Sequence, residues 1–260
     1  VLDHRKGEAR TVSMQAAPRE VRAFLTCRLC HDYDMNNAHQ SILLQTQRKL
    51  TWTKPHTPTP QLELARWVAD RDEYINHIAE THGLPPDELM YPDFRKDMCK
   101  LLILRLVFGG RYSAWLHELK LPQHGPKSQR IEALAKQLDG LRTDVFASDQ
   151  WRGFYEADYA RLLAEGKKNS PSKRNNSIFA RIAQRIENSL LSHMRVFIAS
   201  QSRVTRTLAF DGLMVEADPA KPPLDLRAME AYVFEQSGYE IGISEKPLFS
   251  DTFPQLCLKR

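Results

Sequence analysis

The sequence predicts an α+β fold, a small sheet interrupted by a long helical insertion. Three observations carry this. An apolar stretch after residues 18–30, "PREVRAFLTCRLC", runs as a strand to two alternating acids, Asp32 and Asp34. From there to about residue 200 the apolar residues recur at helical spacing. Beyond residue 203 strand composition returns in "RVTRTLAFDGLMVEADP", with Asp211-Gly212 flanked on both sides by apolar residues. For one sheet to form, the first strand and the late hairpin must meet in space.

The elements follow in order. "PREVRAFL" starts a short helix that leads into the first strand. "AHQSILLQTQRKL" reads as a helix burying Ile42, Leu43 and Leu44. The Pro-rich "TKPHTPTP", 53–60, is a linker or surface loop. "QLELARWVADRDEYINHIAETHG" makes one or two amphipathic helices stopped by Gly83. After the turn "PPDELMYPD", residues 93–110 form a long helix with Asp93 as its cap and Gly109-Gly110 as its stop. "YSAWLHELKLP" and "SQRIEALAKQLDGLRTDVFASDQWRGFYEADYARLLAE" continue helical. In 175–200, Ile178, Ile182, Ile186, Leu190 and Met194 recur every fourth residue along another long helix. The Asp-Gly dipeptide predicts a type I′ hairpin turn. A helix in "LDLRAMEAYVFEQSG" and a strand in "EIGISEKPL" follow.

Composition narrows the function classes. The chain has 260 residues, with 42% hydrophobic and 27% charged, ordinary for a soluble globular protein of one large or two small domains. No apolar run approaches the roughly 18–20 residues that cross a bilayer, so no membrane partner is expected. The polar start, "VLDHRKGEARTVSMQ", is not a signal peptide, and its lack of an initiator Met predicts a piece of a longer protein. Four cysteines do not make a disulfide framework at this length. The lone Cys27/Cys30 pair has no second pair to complete a zinc site, which predicts free thiols in a reducing compartment. The net charge of +5 is compatible with a polyanionic partner.

Three clusters suit chemistry. Two acids on one strand face repel unless a cation, protein or metal, sits with them. If the hairpin meets the strand, Asp32 and Asp34 converge with Asp211 on a cradle of hard oxygen donors suited to Mg²⁺. Taken alone, Asp211 reads as turn chemistry. In the helix of residues 93–110, Lys96 and Lys100 share one face, Arg95 lies beside them, and Leu104 and Phe108 extend that face. Two cations followed by an apolar platform suit a triphosphate with its base stacked further along. Lysines near a helix start oppose the dipole, which a bound anion would offset. Lys167, Lys168, Lys173, Arg174, Arg181 and Arg185 surround a Ser/Asn/Pro-rich break, a pattern suited to phosphate backbones and equally to a solvated loop.

In this order, an acidic strand-turn, a Lys-x3-Lys-x7-Phe-Gly helix and an aromatic-Asp hairpin resemble motifs A, B and C of family A DNA polymerases and single-subunit phage RNA polymerases. Motif B resembles Lys96, Lys100, Phe108 and Gly109; motif C resembles Phe210-Asp211-Gly212-Leu213-Met214-Val215. The transposon–virus polymerase (TV-Pol) family is more similar still. Its Asp-x-Asp-x-x-Asn-Ala-His signature resembles Asp32, Asp34, Asn37, Ala38 and His39, and Gln184 and Glu187 lie where that family's helix before motif C has them. The resemblance runs from about residue 14 to about 245. Gln40 stands where the family usually has proline, Gly212 where motif C has a second acid, and Leu104 where many family A enzymes have an aromatic.

The resemblance implies a right-hand polymerase: a palm of small antiparallel sheet in 1–50 and 171–260, and helical fingers in 51–170. It implies a template-directed nucleotidyltransferase, a DNA polymerase of a virus or mobile element, using two Mg²⁺ ions, with Mn²⁺ as a substitute. Asp34 and Asp211 would hold the metals, with Asp32 as second ligand or electrostatic support. Lys96, Lys100, Arg95, Leu104 and Phe108 would bind the nucleotide, and Asn37 or His39 would lie near its sugar. Lys167, Lys168, Lys173, Arg174, Arg181, Gln184 and Arg185 would grip the template-primer. The implied partners are template-primer nucleic acid, nucleoside triphosphates and a fused or associated superfamily 3 helicase, inside the cell at the site of replication. Two alternatives stay open: a primase or RNA polymerase on the same fold, and an inactive polymerase-like module that binds nucleic acid or loads a helicase.

Overall fold

Among the described residues four strands pair in one antiparallel sheet: β1 (Cys30–Met35), β2 (Thr205–Ala209), β3 (Gly212–Glu216) and β4 (Ile243–Lys246), in the spatial order β2-β3-β1-β4. This computed structural model describes residues 19–90, 93–121, 128–165, 170–209 and 211–247. In chain order the helices are α1 (Arg19–Thr26), α2 (Ala38–Lys49), α3 (Leu62–Ala69), α4 (Arg71–His82), α5 (Phe94–Val107), α6 (Tyr112–Glu118), α7 (Gln129–Ala147), α8 (Arg152–Ala164), α9 (Pro171–Ser200) and α10 (Leu226–Ser237). The fold is therefore helix-rich with a small antiparallel sheet. The chain divides into two compact units, one of Val1–Ala38 and Glu187–Arg260, the other of His39–Ile186.

The first unit holds the sheet. Asp34 pairs with Gly212 of β3 on one side and Ser244 of β4 on the other; Asp32 pairs with Met214 and Lys246. Alternation sends Tyr33 and Met35 to the opposite face, where they are buried, as are Leu213, Val215 and Ile243. Burying each such side chain contributes about 1.5–3 kcal/mol, and a one-residue slip would exchange these side chains for the acids. Between β1 and α2 the chain turns sharply. Asn37 takes a left-handed conformation, φ 49°, which asparagine tolerates better than most residues. Asn36 donates its backbone N–H to the Gly242 carbonyl at 2.7 Å, and its Oδ1 accepts from the Ser244 hydroxyl at 2.8 Å. Asp225 caps α10 by accepting from Ala228 N at 3.0 Å.

The second unit is helical. The expected single or double helix at 61–83 is two, broken at Asp70, whose carboxylate caps α4 by accepting from Glu73 N at 2.9 Å. Gly83, φ 58°, ends α4. The Pro-rich loop is clamped to α7: the Asp144 carboxylate accepts from Thr59 N at 2.8 Å, His56 Nε2 at 2.8 Å and Gln47 Nε2 at 3.2 Å. The four-residue periodicity of α9 is borne out, since Ile178, Ile182, Ile186, Leu190 and Met194 are all buried.

Two expectations are corrected. Asp93 occupies the position before α5, but in a left-handed conformation, φ 66°, with no side-chain cap. Its carboxylate accepts instead from Lys96 Nζ at 3.3 Å, and Asp87, in the preceding 3₁₀ turn, accepts from Arg95 N at 2.9 Å. The hairpin is also not an Asp211-Gly212 turn. Ala209 pairs with Gly212, so Gly212 is already in strand. Phe210 lies outside the described residues. Cys27, Cys30 and Cys99 are free thiols, and burial raises the pKa of both Cys30 and Cys99; Cys257 lies outside the described residues.

Candidate active site

The pairing of β1 with β3 brings the acids of two distant segments to one edge. Met35 N donates to the Asp211 carbonyl at 3.1 Å, extending the ladder one step beyond Asp34–Gly212. Asp34 is 6% exposed and Asp32 is partly exposed on the same face. Glu187, on α9, is buried nearby: desolvation, and then the Asp211 charge, push its carboxyl up to about 7. Sequence reading had Glu187 only as a motif match. Its closeness to Asp211 needed the tertiary fold.

Gly212 has a steric reason. A Cβ there would lie 2.6 Å from the Tyr33 carbonyl oxygen and 2.7 Å from Asp34 Oδ1. A second acid at this position would occupy the space of the Asp34 carboxylate, so the glycine and the buried aspartate fit as a pair.

A protein cation does sit with the acids. Lys246 Nζ forms an ion pair with Asp34 Oδ2. Lys246 stands directly across from Asp32, so its side chain crosses one step of the sheet to reach Asp34. The residue was missed from sequence. The available signal was the alternation in "ISEK", which puts Ser244 and Lys246 on one strand face.

In the second unit the expected residues of α5 are partly together. Lys100 is half-buried, and its pKa is lowered first by desolvation and then by the charges of Arg71 and Lys96. Asp97 and Asp93 act in the opposite sense, so the charges around Lys100 are mixed, and sequence spacing did not reveal their Arg71 member, at the start of α4. Arg95 is committed elsewhere: its guanidinium donates to the Pro85 carbonyl at 3.0 Å and the Leu84 carbonyl at 2.9 Å, holding the loop before α5. Leu104 is exposed. Phe108 meets His39 edge-on, ring centres 5.1 Å apart, so the start of α2 and the end of α5 are in contact. Gly109 follows at φ 77°, and its carbonyl accepts from Asn176 Nδ2 at 3.0 Å.

The basic segment is less uniform than its composition. Lys167 and Lys168 lie outside the described residues. Lys173, Gln184 and Arg185 are exposed, with the Arg185 guanidinium over the Phe154 ring at 5.6 Å. Arg174 stacks on Tyr159 at 5.1 Å. Arg181 is held by Asp158 through contacts of 2.9 and 2.8 Å, so a phosphate would have to compete with that acid.

Among the described residues no group of three or more His, Cys, Asp or Glu is gathered for a metal, and no helix is long and apolar enough to cross a membrane. Asp34 offers a buried carboxylate, and Asp211 meets β1 through its backbone carbonyl. One or two carboxylates would suit Mg²⁺, which fills its shell with waters and phosphates.

A helix-rich chain with carboxylates on a small antiparallel sheet is thus the class that fold and site define. No protein-family model matches it. Over 238 residues, 91% of its length, it is 25% identical to a Sputnik virophage protein described as putative helicase V13, and it spans 27% of that protein. Among solved structures, it is similar to the POL domain of Pol1 from M. smegmatis in complex with DNA primer-template and dNTP. The TM-score is 0.43 at 12% identity, covering 84% of this chain and 39% of that one.

Proposed function

We propose that this chain is the catalytic region of a template-directed nucleotidyltransferase, a DNA polymerase of the TV-Pol type from a virus or mobile element. The observation that carries the reading is the β1–β3 register, in which Asp34 faces Gly212 and Met35 bonds to Asp211. The similarity to a virophage protein supports a viral or mobile-element setting, and that protein's description as a putative helicase fits a polymerase fused to, or working beside, a helicase. On this reading the sheet unit is palm and the helical unit is fingers.

Asp34 and Asp211 would hold Mg²⁺, with Mn²⁺ as substitute, and Asp32 would lend negative charge; a metal bound there would supply Lewis-acid chemistry for phosphoryl transfer. A primer 3′-oxygen displaces pyrophosphate at the α-phosphate. Lys96 and Lys100, with Arg71, neutralise the triphosphate by position and charge. Phe108, held by His39, supplies an apolar surface for the base; Leu104 extends it, and Asn37 shapes the turn near the sugar. Lys167, Lys168, Lys173, Arg174, Gln184 and Arg185 bind the template-primer backbone, and that binding weakens steeply with salt.

The test is primer extension by purified protein with Mg²⁺ on a defined template. Asp211→Ala is expected to abolish incorporation while leaving the protein folded; full activity in that variant refutes the assignment. Comparing ribo- with deoxynucleotides, with and without primer, separates DNA polymerase from primase and RNA polymerase. Retained DNA binding without metal-dependent synthesis in the unsubstituted protein identifies an inactive binding module.

A further inference from the structure

We propose that Lys246 is a built-in counter-cation for Asp34 that competes with the divalent ion, and that Asp32 is the acid to which its ammonium moves when the ion binds. The inference rests on the reading of Asp34 as a metal ligand. A carboxylate as buried as Asp34 is costly to leave ionised without a cation. The ion pair with Lys246 meets that need by occupying Oδ2, one of the two oxygens a metal would use. Lys246 cannot retreat far, because β4 pairs with β1 and fixes its backbone opposite Asp32. That pairing also provides the destination. Asp32 and Asp34 lie two residues apart on one strand face, so rotation of the lysine side chain carries the ammonium from one carboxylate to the other. The alternating aspartates then have separate roles: Asp34 binds the metal and Asp32 receives the displaced cation.

The experiment measures Mn²⁺ binding to the purified protein by electron paramagnetic resonance, independent of synthesis. Lys246→Met is expected to tighten Mn²⁺ binding by about tenfold, the low end of the repulsion between an ammonium and a divalent ion a few ångströms apart. Lys246→Gln should tighten it similarly, and Lys246→Arg should bind as the parent does. Asp32→Asn should weaken binding more in the parent than in Lys246→Met, a coupling that a double-mutant cycle reads directly. Unchanged or weaker binding in folded Lys246→Met overturns the proposal, and equal effects of Asp32→Asn in both backgrounds overturn the transfer to Asp32. If Lys246→Met and Lys246→Gln are both unfolded without metal, refolding on addition of Mn²⁺ supports the competition and failure to refold overturns it. Asp34→Asn separates the two levels: Mn²⁺ binding that survives it refutes the ligand role of Asp34 itself, whatever Lys246 does.

Discussion

Replacing Gly212 by alanine tests the packing beneath the proposed site. In open space the change would stabilise, because glycine in a strand costs roughly 0.5–1 kcal/mol relative to alanine. Here the new methyl carbon would stand 2.6 Å from the Tyr33 carbonyl oxygen, 2.7 Å from Asp34 Oδ1 and 3.3 Å from Asp34 Cα. The Asp34 oxygen belongs to a side chain and can swing aside. The Tyr33 carbonyl belongs to β1 and moves only if the β1–β3 ladder opens. Overpacking of this kind costs about 1–3 kcal/mol, so the net expectation is a loss of up to about 2.5 kcal/mol after the glycine term is subtracted. Urea denaturation followed by tryptophan fluorescence should show a lower midpoint for Gly212→Ala at an unchanged slope. Gly153 is the control. It lies in α8 with nothing within 4 Å of an added Cβ, so Gly153→Ala should raise the midpoint, by up to about 1 kcal/mol. A Gly212→Ala midpoint equal to or above the parent's would refute the reasoning and remove the steric account of the missing second acid.

Two more predictions concern the helical unit. Gly109→Ala should destabilise by about 1–3 kcal/mol, since φ is 77° and the methyl would overlap the Asn176 amide at 2.1–2.3 Å; a thermal melt no lower than the parent's would contradict it. His82 bonds to the Tyr112 hydroxyl, and burial, then His77, lower its pKa below the ordinary 6.5. The unfolded chain therefore takes up a proton at His82 before the folded one does. Its contribution is present above about pH 6.5 and is lost as pH falls through the lower folded value. Urea midpoints from pH 7.5 to about 5.5 should fall less steeply in His82→Gln than in the parent, and parallel curves would disprove the linkage.

Much of the helical architecture was legible because periodicity is local. Ile178, Ile182, Ile186, Leu190 and Met194 announce one buried face whatever they pack against, and Gly83 ends its helix by its own backbone freedom. The meeting of β1 with the hairpin was also foreseeable, since two short strands of one chain need partners. The details that failed were those in which a distant group competes with a local signal. Asp-Gly is a strong turn dipeptide, yet pairing with β1 and β2 draws Gly212 into strand. Asp93 is a good capping residue, yet Asp87 reaches the helix start first. Arg95 looks like a third phosphate-binding cation until the loop carbonyls of Leu84 and Pro85 take its guanidinium.

By itself the sequence determined the residue types, the order of the acidic turn, lysine helix and acidic hairpin, and the face each side chain takes within its own element, because all of these follow from spacing along the chain. Only the tertiary structure decided which groups touch, Lys246 with Asp34 and Gly212 against Asp34, and which feel each other's charge, Glu187 with Asp211 and Arg71 with Lys100. Electrostatic and steric interactions depend on separation in space, and residues far apart in sequence acquire that separation only when the sheet and helices close.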